Sequence, residues 1–243
     1  MTGRQKKTIV ISALYLITLF TFTHIPIPQV VYRANVSDKW LHFLAYLNLT
    51  FLMWFSINPD RKTNWRNWVT YLILLAAVIL GATDELTQPY TGRTCDILDF
   101  LADAEGILAG LIIFAFLTFW PSLLAVWAIS IFGVATLIRA DLSKVAPILD
   151  AVYHIFAYAG FTLIWGQLAN LYLSPKTIIS RLSLITSLPL CLMLFVKVSS
   201  MLLGRYFTTM EMLCSAGAII AVSTATCLFE RKKRQEPFLA KGV

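Results

Sequence analysis

WVTYLILLAAVILGATDELTQPYTGRTCDILDFLADAEGILAG, residues 68–110, is the stretch whose reading decides the fold. It runs without a charge from Trp68 to Thr83, turns through a polar corner, and re-enters an apolar run whose carboxylates recur in steps of three and four. A helix needs about 20 apolar residues to cross the hydrocarbon core of a bilayer. Both arms of this stretch meet that length. Comparable runs begin near residues 8, 40, 68, 98, 121, 150, 179 and 209. The expectation is an all-α, polytopic membrane bundle of about eight helices, with its polar residues gathered at one end.

Composition agrees. A chain of 243 residues that is 58% hydrophobic and 14% charged, with mean hydropathy +0.72, has more apolar surface than a soluble core of its size can hide. The lipid bilayer is its first partner. The net charge of +7 does not indicate nucleic acid, because the basic residues sit in short loops and tails, where they orient membrane helices. Cys95, Cys191, Cys214 and Cys227 show no metal-type spacing and read as small buried hydrophobes. The first run follows Arg4, Lys6 and Lys7 like a signal peptide, but it continues through Pro26 and Pro28 without a small-residue cleavage site and reads as a retained anchor.

Counting Lys and Arg per side places both termini in the cytoplasm. Arg4, Lys6, Lys7, Arg61, Lys62, Arg66, Lys176, Arg181, Arg231, Lys232, Lys233, Arg234 and Lys241 then lie inside. The opposite side holds Arg33, Lys39, Arg93, Arg139, Lys144, Lys197 and Arg205, together with most of the acidic residues.

An offset of 112 residues superposes Asp38, His42, Ala45 and Tyr46 on Asp150, His154, Ala157 and Tyr158, Gly92 and Arg93 on Gly204 and Arg205, and Asp99 on Glu211. So many polar matches in one register read as duplication of a four-helix unit, with repeats at 1–120 and 121–243. In the second copy Glu85 is replaced by Lys197, Gln88 by Ser200, Asp96 by Thr208 and Asp103 by Ser215. If there is a single site, it is expected in residues 1–120.

Three groups of residues carry candidate chemistry. Asp38, His42 and Tyr46 share one face of the second helix; Ser37 or Asp38 could cap that helix, and an imidazole one turn into an apolar run needs a partner. Asp84, Glu85 and Gln88 end the third helix, Glu85 and Gln88 on one side, and lead into P-Y-T-G-R, where Gly92 allows a tight turn. Arg93 there could clamp a carboxylate or phosphate, or simply tie the loop to an Asp. Asp96, Asp99, Asp103, Gly106 and Gly110 form a stripe on the fourth helix. Carboxylates there are costly and face a bundle interior or wet cavity, Asp96 and Asp99 could also act as caps, and the glycines suit close helix packing. Alternating helix direction brings all three groups to one leaflet depth.

D-K-W-L-H-F-L-A-Y at 38–46, D-E-L-T-Q at 84–88, G-R-T-C-D-I-L-D at 92–99 and the glycines 106 and 110 together resemble the VanZ-like family of small bacterial membrane proteins. The likeness covers roughly the first half of the chain. It departs at Asp103, where the family commonly has Asn, and in the second four-helix unit. The resemblance implies a bacterial cell-envelope protein of the cytoplasmic membrane, in a family named for a member associated with low-level resistance to the glycopeptide teicoplanin. It suits binding or modification of a surface lipid or lipid-linked cell-wall precursor.

Three functions follow from these readings. The first is a non-enzymatic binding protein whose outer cluster comprises Asp38, His42, Glu85, Gln88, Arg93, Asp96, Asp99 and Asp103. The second is a hydrolase or transferase acting on a phosphorylated lipid, with His42, Glu85 or Asp99 as catalytic candidates, Arg93 on phosphate, and Asp96 with Asp99 on a divalent cation. The third, a transporter, ranks last because its site would lie near the midplane. No cofactor signature is legible.

Overall fold

Each long apolar run forms a helix, because inside a bilayer only a helix satisfies its own backbone donors and acceptors. A computed structural model of the protein describes residues 2–25, 37–138, 146–173, 177–205 and 208–239, with residues 230–239 as backbone only. Pro26, Pro28, Arg33, Arg139, Lys144, Lys176 and Lys241 lie outside the described residues, as do the side chains of Arg231, Lys232, Lys233 and Arg234.

The described helices are α1 (Gly3–His24), α2 (Asp38–Ile57), α3 (Trp68–Thr87), α4 (Ile97–Phe116), α5 (Phe119–Phe132), α6 (Pro147–Tyr172), α7 (Ile178–Leu202) and α8 (Thr209–Leu239). The 3₁₀ turn Gln88–Thr91 follows α3, and the π turn Gly133–Leu137 extends α5. No strand occurs among the described residues. Apart from α4, every helix has the length and apolar character to cross a membrane, α5 once the π turn is counted with it; α4 is long enough but carries Asp99, Asp103 and Glu105. Large apolar side chains such as Ile17, Phe22, Leu75, Phe156 and Leu213 stand more than half exposed, as lipid-facing residues do.

The chain divides into two compact units, Met1–Asp141 and Leu142–Val243. The expected boundary between repeats is at 120/121 instead. The difference arises because α5 packs on α2, where Asn48 Nδ2 donates to Ser130 Oγ at 3.0 Å.

In the first unit α2 is the central helix, with ten of its 20 residues buried. Its closest neighbour is α4, and the reason is Gly106: a Cβ there would overlap the Phe43 carbonyl oxygen. One turn on, a Cβ at Gly110 would press on Thr50 at 3.2–3.3 Å. The G-x-x-x-G half of the stripe is thus a packing seam between α4 and α2. At the far end of this seam Phe51, Phe55, Phe114 and Phe119 form an aromatic knot with centroids 5.3–5.7 Å apart across the helices.

The ends of the first unit differ in chemistry. Arg4 pairs with Asp60 and also donates to the Pro59 carbonyl at 3.2 Å, while Gln5 donates to the Ser56 carbonyl at 3.0 Å. The start of α1 therefore sits beside the α2–α3 loop with its basic residues. The end of α1 reaches the end of α3, where Thr23 Oγ1 donates to Asp84 Oδ1 at 2.6 Å.

In the second unit α6 packs chiefly on α8, and both contact α7. Trp165 Nε1 donates to the Leu184 carbonyl at 2.8 Å, joining α6 to α7. The turn before α4 recurs before α8. Gly92 and Gly204 take φ of 80° and 74°, and the amides of Arg93 and Arg205 donate to the carbonyls of Gln88 and Ser200 at 3.3 and 2.8 Å. A positive φ is the reason glycine stands at both positions.

The cysteines correct the expectation of uniform burial. Cys227 is buried and Cys214 partly so, whereas Cys95 and Cys191 are exposed.

Candidate functional site

The polar stripe of α2 faces α4 because its other faces are needed for apolar packing, and this places His42 at the centre of the polar end. His42 is 6% exposed. Its Nδ1 lies 2.9 Å from Asp103 Oδ1 and 3.9 Å from Glu85 Oε1. Its Nε2 lies 3.9 Å from both Asp38 Oδ1 and Asp99 Oδ2. One imidazole thus separates two carboxylate pairs, an inner pair from α3 and α4 and an outer pair from α2 and α4.

Neighbouring donors hold each carboxylate. Glu85 accepts from Gln88 Nε2 at 2.9 Å and from the Asp96 amide at 3.1 Å. Lys39 Nζ bridges Asp96 Oδ2 and Asp99 Oδ1 at 2.8 and 2.9 Å. Arg93 donates to Asp38 Oδ2 at 3.3 Å and to the Thr23 carbonyl at 3.1 Å. A Cβ placed on Gly81 would stand 3.2 Å from Asp103 Oδ2, so glycine there leaves room for this buried carboxylate between α3 and α4.

The eight residues singled out in the first unit, Asp38, His42, Glu85, Gln88, Arg93, Asp96, Asp99 and Asp103, therefore meet in one cluster. Their individual roles select among the alternatives that the sequence left open. Asp96 and Asp99 do not face a cation site together, since the Lys39 ammonium lies between them. Arg93 takes the structural of its two expected roles: it ties the corner to Asp38 on α2 and to the Thr23 carbonyl on α1. Asp96 caps α4 by accepting from the Leu98 amide at 2.9 Å, whereas Ser37 makes no side-chain cap on α2. The ammonium of Lys39 and this cap hold the Asp96 carboxyl below the usual carboxylate range.

Sequence reasoning missed Lys39 and the α1 contribution. His24 Nε2 lies 2.7 Å from Thr87 Oγ1, and Asp84 is buried beneath Thr23. The available signal was the polar pair Thr23 and His24 at the end of an otherwise apolar helix.

The second unit departs further from expectation. Asp150, His154 and Glu211, which align with Asp38, His42 and Asp99, are all buried, and their ligand atoms converge as those of the first unit do. His154 Nε2 lies 3.9 Å from Asp150 Oδ1 and 3.7 Å from Glu211 Oε2. On its other side, Nδ1 lies 3.4 Å from Oγ of Ser215, the residue that aligns with Asp103. At the aligned positions the second unit has no counterpart of the inner carboxylate pair and has one of the outer pair, so a polar cluster is not confined to residues 1–120.

Depth sorts the first cluster into a base and a rim. Glu85, Gln88, Asp99 and Asp103 are at most 5% exposed. The side chains of Asp38, Lys39 and Asp96 are 43%, 46% and 40% exposed. The rim is exposed, and the buried Asp99 holds it through Lys39. No protein-family model, curated protein or solved structure matches the chain.

Proposed function

We propose that this helical membrane protein is a VanZ-like component of the bacterial cell envelope. It sits in the cytoplasmic membrane with both termini inside and binds a surface lipid or lipid-linked cell-wall precursor from the outer leaflet. The observation that supports this reading is the rim of alternating charge, Asp38, Lys39 and Asp96, above a buried polar base. A headgroup bearing both amine and phosphate matches such a rim: the carboxylates take the amine and Lys39 takes the phosphate. Because the base fixes these side chains beforehand, little ordering entropy is lost on binding. Retention of a cell-wall precursor at this rim would link the protein to glycopeptide susceptibility, including susceptibility to teicoplanin.

Native mass spectrometry of the protein in nanodiscs, with a panel of phospholipids and polyprenyl-linked precursors, tests the reading. One lipid class should be retained selectively by the wild type and lost in the double variant Lys39→Ala, Asp96→Asn. Equal retention of every lipid by both proteins contradicts it.

The His42–Asp103 contact favours a second reading, a hydrolase or transferase acting on a phosphorylated lipid. A carboxylate on one nitrogen fixes the imidazole as an acid or base at the other. Release of phosphate or pyrophosphate from a lipid substrate, abolished by His42→Gln, would select this reading over binding alone.

A further inference from the structure

We infer that each unit contains a site for a divalent transition-metal ion, formed by Asp38, His42 and Asp99 in the first and by Asp150, His154 and Glu211 in the second. The inference goes beyond lipid binding and does not depend on it.

The imidazoles carry the argument. Asp103 as a carboxylate can only accept, so at 2.9 Å it places a hydrogen on His42 Nδ1. With Nδ1 taken by Asp103, Nε2 is the nitrogen that points between Asp38 and Asp99, free of Nδ1's bond to bind an ion in place of its own proton. In the second unit Ser215 Oγ donates its one hydrogen to the Glu211 carbonyl at 2.7 Å, so toward His154 it acts as acceptor. His154 Nδ1 carries the hydrogen, and Nε2 turns to Asp150 and Glu211. Separations of 3.7–3.9 Å between Nε2 and these oxygens exceed a hydrogen bond. Tetrahedral donors at about 2.0–2.2 Å from one ion stand roughly 3.3–3.6 Å apart, so side-chain shifts of a few tenths of an ångström would close each set around an ion. A group oriented through its far nitrogen by a carboxylate or hydroxyl is the arrangement metal-ligating histidines adopt.

Duplication supplies an independent observation. Of the four carboxylates around His42, the second copy lost Glu85 and Asp103, which face Nδ1, and retained an acid for each of the two facing Nε2. A polar cluster serving only to solvate a histidine gives no reason for that division. In the first unit the ligands are also oriented: Arg93 and Lys39 take the outer oxygens Asp38 Oδ2 and Asp99 Oδ1, leaving Asp38 Oδ1 and Asp99 Oδ2 toward Nε2. One nitrogen and two carboxylates favour Zn²⁺ or Mn²⁺ over Mg²⁺ or Ca²⁺.

The test is metal content of the full-length protein in detergent, purified through a tag without histidine, loaded separately with Zn²⁺ and Mn²⁺ and dialysed. The wild type should retain about two equivalents of at least one of these metals. His42→Gln and His154→Gln should each retain one, and the double variant none. Asp99→Asn and Glu211→Gln, close isosteres, repeat the reading if a histidine variant fails to fold. Retention below half an equivalent by folded wild type overturns the inference, as does an occupancy that the histidine and carboxylate variants leave unchanged. Loss of both equivalents in His42→Gln alone, with Glu211→Gln unaltered, also overturns it.

Discussion

Asp103 on α4 accepts a hydrogen bond from His42 on α2 at 2.9 Å, and that contact sets which nitrogen of the imidazole faces the rim. Removing the acceptor leaves a buried N–H without its partner, at a cost of about 1–3 kcal/mol. Asp103→Ala should therefore lower the thermal midpoint measurably in detergent, whereas Asp103→Asn, which keeps an acceptor oxygen, should stay near wild type. Equal midpoints for all three proteins would show that the contact does not orient the ring.

Gly106 decides how closely α4 approaches α2. A Cβ there overlaps backbone, which cannot move like a flexible side chain, so Gly106→Ala should cost about 1–3 kcal/mol or prevent folding. Gly217 on α8 meets nothing within 4 Å, and Gly217→Ala should be neutral or slightly stabilising. Detergent unfolding curves for the pair check this contrast. It fails if the two alanines behave alike.

Arg93 joins the corner before α4 to both α1 and α2. Arg93→Ala should loosen the end of α1, with a loss of about 1–3 kcal/mol for the charge-assisted bonds. Lysine restores charge without the fork, so Arg93→Lys should recover only part of the loss. Faster hydrogen exchange at Phe20–His24 in the alanine variant is the expected signature, and unchanged exchange there would mean that α1 is held by other contacts.

Asp96 provides a pH dependence of known sign. Lys39 lowers its folded pKa, so the stabilisation is complete above its ordinary value of about 3.9 and disappears as pH falls through the depressed value. At low salt, wild type and Asp96→Asn should differ in thermal midpoint at about pH 5–7 and converge in stronger acid. The pair is exposed, so added salt should shrink the gap. A gap independent of pH would remove the carboxylate from the explanation.

The helices were legible because each needs only length and hydropathy, and their starts fall within a few residues of the apolar runs. Convergence of Asp38, Glu85 and Asp96 was legible too, since antiparallel neighbours return their polar ends to one level. Rotation about each helix axis was not. It turns Lys39 between Asp96 and Asp99, and it brings Arg93 to Asp38 across 55 residues. A periodic pattern fixes a face to within about a hundred degrees and leaves such choices to packing. The second triad was hidden for another reason. The aligned positions without a carboxylate mask those that keep a polar group, Asp150, His154 and Glu211, which are the ones that meet.

That the polar end of the first unit faces outward is the claim on which the functional account rests, and Cys95, exposed at that end, reports on it directly. In a variant with Cys191, Cys214 and Cys227 replaced by Ser, Cys95 becomes the sole thiol. A membrane-impermeant maleimide should label it in intact cells. In a second variant, with Cys95 also replaced and the substitution Lys62→Cys on the α2–α3 loop, labelling should occur only after lysis. The reverse pattern in intact cells, with the thiol introduced by Lys62→Cys labelled and Cys95 protected, would place the cluster in the cytoplasm and contradict the account.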